Sequence, residues 1–278
     1  MNFFERIIGI KINNKMQELK EKMKKFESYE EPKNLDSRVL KQEIIAEPFH
    51  CDYSAHLTMG VLGNHLLNVA GNHANERHFG IETFKTLSWV LSRLVIEMDE
   101  MPAQHDHFTV ETWTTSIARL FTNREFAVFN PQGKAIGFAT SIWALIDLNT
   151  RRPVNPLSVN DGQLKEYMYP EYTVPIEGPG HNRMKEPEEV YRHVVCYSDI
   201  DLNGHLNSIR YIEHLLNCFD MDYHKKHALR RLEIAYSAEC YAGEEIKILR
   251  QEKTPNVWIL EVVRPDGKAA VKSLLEFE

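Results

Sequence analysis

The chain contains one motif twice, and that repeat restricts the folds open to it more than any other feature. Asp52-Tyr-Ser-Ala-His56-Leu57 matches Asp201-Leu-Asn-Gly-His205-Leu206. At the same offset His65-Leu66-Leu67-Asn68 meets His214-Leu215-Leu216-Asn217, so seven of seventeen positions are identical. A second match follows, Pro131-Gln-Gly-Lys-Ala135 with Pro265-Asp-Gly-Lys-Ala269. Its offset is 134 rather than 149, so the first copy holds about fifteen extra residues between the two motifs. Self-similarity on this scale means one supersecondary unit built twice, and 278 residues leave room for two domains of ordinary size.

Each copy reads as a strand, a helix, and then antiparallel strands. In the second copy Leu206, Ile209, Ile212, Leu216 and Phe219 recur at spacings of three and four, the stripe of a helix with one apolar face. The period then drops to two. Leu232, Ile234, Tyr236 and Ala238 alternate with Glu233, Ala235, Ser237 and Glu239, which marks a strand with one buried side. Further strands are expected at Ile246 and Ile248, at Val257 to Val262, and from Val271 to Phe277 after a Pro-Asp-Gly turn. The first copy repeats the scheme with Leu62, Leu66 and Val69 on its helix and with strands Phe108 to Ile117, Arg124 to Phe129 and Ala135 to Ile146. Strands Val39 to Phe49 and Val190 to Cys196 precede the helices. One such helix needs a wide apolar surface, and a twisted antiparallel sheet wrapped around it provides one. The expected fold class is α+β, a tandem hotdog, in which two copies pair edge to edge as a pseudo-dimer within one chain and relieve each other's open sheet edges.

The boundaries follow from composition. Residues 1–35 are expected to be an N-terminal helical extension; Met1 to Glu27 carries seven basic and four acidic residues, and Met16 is an alternative start. The first hotdog is placed at 36–148 and the second at 190–278. Between them, 149–189 holds six of the twelve prolines and reads as a linker draped over the surface.

Charge and cysteine content narrow the function classes. The net charge of −7 disfavours nucleic acid as a partner, and no apolar run reaches the length of a membrane span. Cys51, Cys196, Cys218 and Cys240 show no C-x-x-C spacing, so a zinc site is not expected. With no secretory signal pattern, four free thiols point to a cytoplasmic protein. His105-Asp106-His107 is read as solvated polar residues rather than metal ligands. No metal or cofactor is implied, and nucleophile elbows, P-loops, dinucleotide fingerprints and H-E-x-x-H motifs are all missing.

One polar block stands out. Asp199, Asp201, Asn203, His205 and Asn207 crowd the junction between a strand and the second apolar helix, where unpaired N–H groups and the positive end of the helix dipole meet. Asp and Asn also serve as ordinary helix caps, so this block alone leaves a structural and a catalytic reading open. Glu239 and Cys240 end the strand that packs beside that helix and can approach the block. For Cys240 a small buried filler is the commoner role.

The stretch Tyr197-Ser-Asp-Ile-Asp201-Leu-Asn203-Gly-His205-Leu-Asn207-Ser-Ile-Arg-Tyr211-Ile, with Leu232-Glu-Ile-Ala-Tyr236-Ser-Ala-Glu239-Cys240 downstream, resembles the acyl-acyl-carrier-protein thioesterases of plant plastids and their bacterial relatives. The resemblance covers about residues 40 to 278. It implies hydrolysis of a fatty acyl thioester on acyl carrier protein, with free fatty acid released and fatty acid synthesis terminated. It also carries catalytic roles onto Asp201, Asn203, His205 and Glu239, with Cys240 as the alternative nucleophile. Two mechanisms are weighed. In the preferred one Glu239 is general base on a water, Asn203 and His205 hold carbonyl and water, and Asp201 orients the set. In the other Cys240 attacks with His205 as base, which needs a lowered thiol pKa.

The first copy departs from the pattern. Ser54 and Ala55 replace Asn203 and Gly204, and Glu100 matches Glu239 only loosely, so one active site is expected, in the second copy. The resemblance implies that the first copy holds the acyl tail, and Gly60, Gly63 and Gly71 are read as small positions that leave it room. An acidic carrier protein calls for a basic patch, with Lys225, Lys226, Arg230 and Arg231 as candidates. A homodimer is compatible with this reading. The alternatives are an acyl-CoA thioesterase of the hotdog family, a hotdog enoyl hydratase, whose D-x-N-P-x-H block differs from this one at Gly204 and His205, and a non-catalytic acyl sensor.

Overall fold

The computed structural model describes residues 17, 20–21, 24–29, 38–80, 83–84, 86–180 and 182–278. Among these, eleven strands form one antiparallel sheet. In chain order they are β1 (Val39–Ile45), β2 (Leu87–Met98), β3 (His107–Ile117), β4 (Phe121–Phe129), β5 (Ala135–Asp147), β6 (Pro153–Val154), β7 (Glu188–Val194), β8 (Leu229–Tyr236), β9 (Glu245–Thr254), β10 (Val257–Val263) and β11 (Ala269–Phe277). Their spatial order is β1-β3-β4-β5-β2-β8-β11-β10-β9-β7, with β6 paired to β5. The order is the same read inward from either end. Five strands wrap helix α1 (Met59–Glu76), and five wrap α2 (Ser208–Leu216) with its continuation α3 (Met221–Lys226). This is the double hotdog that the repeat implies.

The two halves meet along β2 and β8, in register from Arg93 opposite Ala235 to Glu97 opposite Arg231. Strand β2 is the element that the period-two reading did not single out. It lies in the middle of the sheet, flanked by β5 and β8, and Leu94, Val95 and Ile96 are all fully buried. A strand covered on both faces has no polar side to alternate with, so its periodicity disappears.

The helices touch as well. An added Cβ on Gly63 would stand 2.8 Å from Ile209 Cδ1, and one on Gly60 would stand 3.3 Å from Glu213 Cγ. These two glycines therefore let α1 approach α2 and leave no space for a ligand. Gly71 alone of the three has open space where a Cβ would go.

The outer face of the first sheet is covered rather than solvated. The segment after β5 lies across it, with Leu164 and Val174 buried and Trp113 Nε1 donating to the Tyr172 carbonyl at 2.8 Å. The linker is thus a packed strap. Phe26 is buried on the same face and stacks on Phe138 with ring centroids 5.2 Å apart. Of the expected N-terminal extension, residues 17, 20, 21 and 24–27 are helical and 28–29 follow the helix; the other positions, Met16 included, lie outside the described residues. Arg231, one of the expected docking cations, is also buried. It pairs with Glu97 at 3.0 Å across the β2–β8 seam and with Glu233 of its own strand at 2.9 Å, and it donates to the strap carbonyl of Glu177, so it belongs to the seam and not to a docking patch.

Candidate active site

The two repeated blocks fold into the same turn. Asp201 N donates to the His205 carbonyl and Gly204 N to the Asp201 carbonyl; Asp52 with His56 and Ala55 with Asp52 make the same bonds in the first half. Gly204 takes φ +81°, a left-handed value that glycine adopts at no steric cost, and Ala55 takes φ +60° at the matching position. The Asp201 carboxylate is used by the turn itself. Its Oδ1 accepts from Asn203 N at 2.8 Å and from His205 N at 3.3 Å, the Asx geometry that fixes a loop. The next polar residue, Asn207, caps α2 by accepting from Ile209 N at 2.8 Å.

Glu239 reaches this loop from the other side. Strand β8 ends at Tyr236, so Glu239 lies three residues beyond the strand rather than on it. Ser237 N and Ala238 N both donate to the Ala270 carbonyl, and Leu206 N donates to the Cys240 carbonyl. The last bond ties residues 237–240 to the polar loop and brings the carboxylate to the imidazole. His205 Nε2 and Glu239 Oε2 are 3.4 Å apart. In the first half Asp99 N and Glu100 N share the Ile136 carbonyl, and Leu57 N donates to the Pro102 carbonyl. Those bonds equate Met101 with Glu239, one residue beyond Glu100, so the first half has no carboxylate at this position.

Two partners of Glu239 escaped the sequence reading. Arg151, from the strap, donates through Nη2 to Oε1 at 2.5 Å, and the Tyr241 hydroxyl donates to Oε2 at 3.0 Å. Partial burial pushes the Glu239 pKa up, but these hydrogen bonds and the neighbouring charges of His205 and Arg151 outweigh it and hold the carboxyl below its ordinary value. Nothing in the local sequence distinguishes Arg151 from Arg152; only the path of the strap brings it here. Cys240, by contrast, is fully buried, and burial is the main cause of a raised thiol pKa.

Asp201, Asn203, His205 and Glu239 line one end of a cavity of about 700 Å³. Cys240 is not a wall residue. The cavity crosses from the second half into the first, where Trp89, Leu91, Trp143 and Ile146 of β2 and β5 form its walls with Leu67 of α1. Beneath the polar loop lies a second cluster. Asp199 is buried, and its carboxylate meets His193 Nε2 at 2.6 Å, His214 Nε2 at 3.2 Å and Cys196 N at 2.8 Å. His193, Cys196 and Asp199 are the only His, Cys, Asp or Glu group among the described residues close enough to share a metal ion. Hydrogen bonds within the cluster already satisfy the Asp199 carboxylate.

Comparison with known proteins identifies the family and the fold. Residues 38–167 match the acyl-ACP thioesterase N-terminal domain and residues 182–272 the C-terminal domain. An acyl-ACP thioesterase from Bacteroides thetaiotaomicron is 44% identical, with a TM-score of 0.83 over 88% of this chain and all of that one. The 12:0-ACP thioesterase from Umbellularia californica shares the fold at 17% identity, with a TM-score of 0.76 over 88% of this chain and 99% of that one. The oleoyl-acyl carrier protein thioesterase 2 of Arabidopsis thaliana, a chloroplastic protein, is 26% identical over 248 residues. That alignment takes in 82% of this chain and 66% of the relative, so the chain spans about two thirds of that protein. With both family domains matched in order over most of its length, the chain belongs to the acyl-ACP thioesterase family.

Proposed function

We propose that the protein hydrolyses fatty acyl-acyl carrier protein to free fatty acid and carrier protein, with one active site in the second hotdog and the acyl chain held in the first. Family membership makes it a thioester hydrolase. The observation that carries the assignment of residues is the 3.4 Å approach of Glu239 to His205 in the wall of a cavity that runs from the second half into the first.

In this mechanism Glu239 takes a proton from a water held beside it and His205, and the resulting hydroxide adds to the thioester carbonyl carbon. Asn203 and His205 steady the carbonyl oxygen as it becomes negative, while Asp201 keeps their loop in shape. Collapse of the tetrahedral intermediate breaks the carbon–sulfur bond, and the proton held by Glu239 passes to the leaving thiolate. Cys240 has no chemical role here; a buried thiol with a raised pKa is a poor nucleophile. Residues 36–148 then serve as the acyl-binding half, 190–278 as the catalytic half, and 149–189 as the strap that joins them. The place of action is the cytoplasm, supported by four unpaired cysteines. No helix among the described residues is long and apolar enough to cross a membrane.

The test is a panel of acyl-carrier-protein thioesters from C8 to C18, with released fatty acid measured by mass and each chain also offered on CoA. Release from carrier protein with weaker release from CoA is the expected result. Release from CoA alone would transfer the protein to acyl-CoA hydrolysis, and release from neither would remove the activity.

A further inference from the structure

The outer face of the β2–β8 seam carries a cationic notch that no step of the hydrolysis uses. Arg93 of β2 and Lys272 of β11 are the two cross-strand neighbours of Ala235 on β8. Adjacent strands lie about 4.8 Å apart, so the two cations rise from points about 10 Å apart with only the Ala235 methyl between them. All three residues line a depression of about 270 Å³, which the strap borders with Gly180 and Arg183.

The charges in this notch are not balanced. Arg93 is half-buried and Arg183 exposed, and among the described residues neither guanidinium has a hydrogen-bond or ion-pair partner. Lys272 pairs with Glu261 of β10 at 3.1 Å, which uses one of the three bonds an ammonium can donate. Glu233 also borders the notch, but its carboxylate is engaged elsewhere: Oε1 accepts from Arg231 and Oε2 from Gly180 N at 2.8 Å. The notch therefore has donors to spare and lacks an acceptor. Guanidinium forks beside an ammonium, converging over a small residue, match the several oxygens of a phosphate.

The notch adjoins the catalytic cavity, since Ser237 lines both. Val90 lines the cavity too and is exposed. It shares the outer face with Arg93, because their partners Ala144 and Ile142 stand two residues apart on β5. The cavity thus opens on the outer face beside the notch. Ala235 precedes Glu239 by four residues, a span of no more than about 14 Å. A carrier protein presents its acyl thioester on a phosphopantetheine arm, whose path from sulfur to phosphorus has about as many bonds as four residues of backbone. We propose that Arg93, Lys272 and Arg183 bind the phosphate of this arm, so that the arm lies along the seam past Ser237 with its sulfur at Glu239 and His205. This subsite rests on the thioesterase reading above. CoA carries a phosphate at the same point of its own arm, so the notch serves the arm and not the choice of carrier.

The test offers one acyl group on pantetheine, on phosphopantetheine and on carrier protein to wild type, Arg93→Met and Arg183→Ala. Wild type should cleave the phosphate-bearing free arm about 10- to 100-fold better in kcat/KM than the arm without phosphate, the scale of a charge-assisted contact. The gain should shrink as salt is raised. Arg93→Met, confirmed as folded by thermal unfolding, should bring the ratio close to one. Arg183→Ala, at an exposed position where folding is not at risk, should lower it. Equal cleavage of the two free arms by wild type would overturn the proposal, as would a ratio that neither substitution lowers. If Arg93→Met slows cleavage on carrier protein while phosphate brings no gain on the free arm, the notch holds an acidic side chain of the carrier protein instead, and the proposal also fails. Inhibition of carrier-protein hydrolysis by phosphopantetheine but not by pantetheine reads the notch without turnover of the free arms, and equal inhibition by the two would count against it. Failure of wild type to cleave the thioester on any of the three carriers would count against the thioesterase reading, whereas cleavage on carrier protein with no effect of phosphate would count against the notch alone.

Discussion

Arg151 and Glu239, 88 positions apart in the chain, meet through a guanidinium–carboxylate contact of 2.5 Å at the mouth of the catalytic cavity. The strap between the halves therefore does more than connect them; it supplies a cation to the residue proposed as base. Because Arg151 helps to hold the Glu239 pKa down, it keeps the carboxylate ionised to lower pH. Replacing it with methionine removes that lowering, so the acid limb of the kcat/KM profile is expected to move to higher pH. An unmoved limb would mean that the profile does not report Glu239.

Glu239→Gln removes the proton acceptor and keeps the shape. Turnover is expected to fall by about 10² to 10⁴, the range for a lost general base. The side chain is roughly one-third exposed, so the melting temperature should change little. Full activity in this variant would exclude Glu239 from proton transfer.

Cys240→Ala should keep turnover within a few-fold while lowering stability by about 1 kcal/mol, the scale for trimming a small buried group. The thiol is fully buried, and native protein should resist alkylation there. Loss of activity without loss of fold would restore the thiol route.

Gly63→Val tests the contact between the helices. The glycine lies so close to Ile209 that even one added carbon would stand 2.8 Å from its Cδ1. The variant is expected to lose about 1–3 kcal/mol through overpacking, read as a lower melting temperature. A neutral result would show that α1 and α2 can separate without cost.

Asp199→Asn addresses the support beneath the catalytic loop. Burial pushes the Asp199 pKa up, but hydrogen bonds from Cys196 and His193 more than reverse this and hold it far below the ordinary value. A depressed folded-state pKa stabilises the fold above the ordinary aspartate range, and that contribution is lost as pH falls below it. The variant should be about 2–3 kcal/mol less stable at neutral pH. Its deficit should narrow as the pH is taken below about 4, where the unfolded wild-type chain begins to take up a proton that folded Asp199 still refuses. A deficit that stays constant with pH would assign the effect to shape rather than charge.

Much of the architecture was legible because the repeat is local and periodic. Seven shared positions announced one unit used twice, and changes between helical and period-two spacing located the helices and most strands. Strand β2 escaped because burial on both faces erases alternation. Gly60 and Gly63 were misread because small size signals close approach without saying to what; here it is a second helix rather than an acyl chain. Arg231 looked like surface charge because sequence gives no sign that Glu97, from the other half, lies opposite.

The sequence by itself determined the doubled fold, the polar turn around Asp201, Asn203 and His205, and the difference between the halves at Ser54 and Ala55. These depend on residues within a few positions of one another, where backbone geometry and side-chain chemistry act locally. Only the tertiary structure decided that Glu239 stands beside His205 with Arg151 on its other oxygen, and that Met101 takes the matching place in the first half. Those relationships are made by strand register and by the route of the strap across the sheet. Both are set by the packing of the whole chain, which no local pattern encodes.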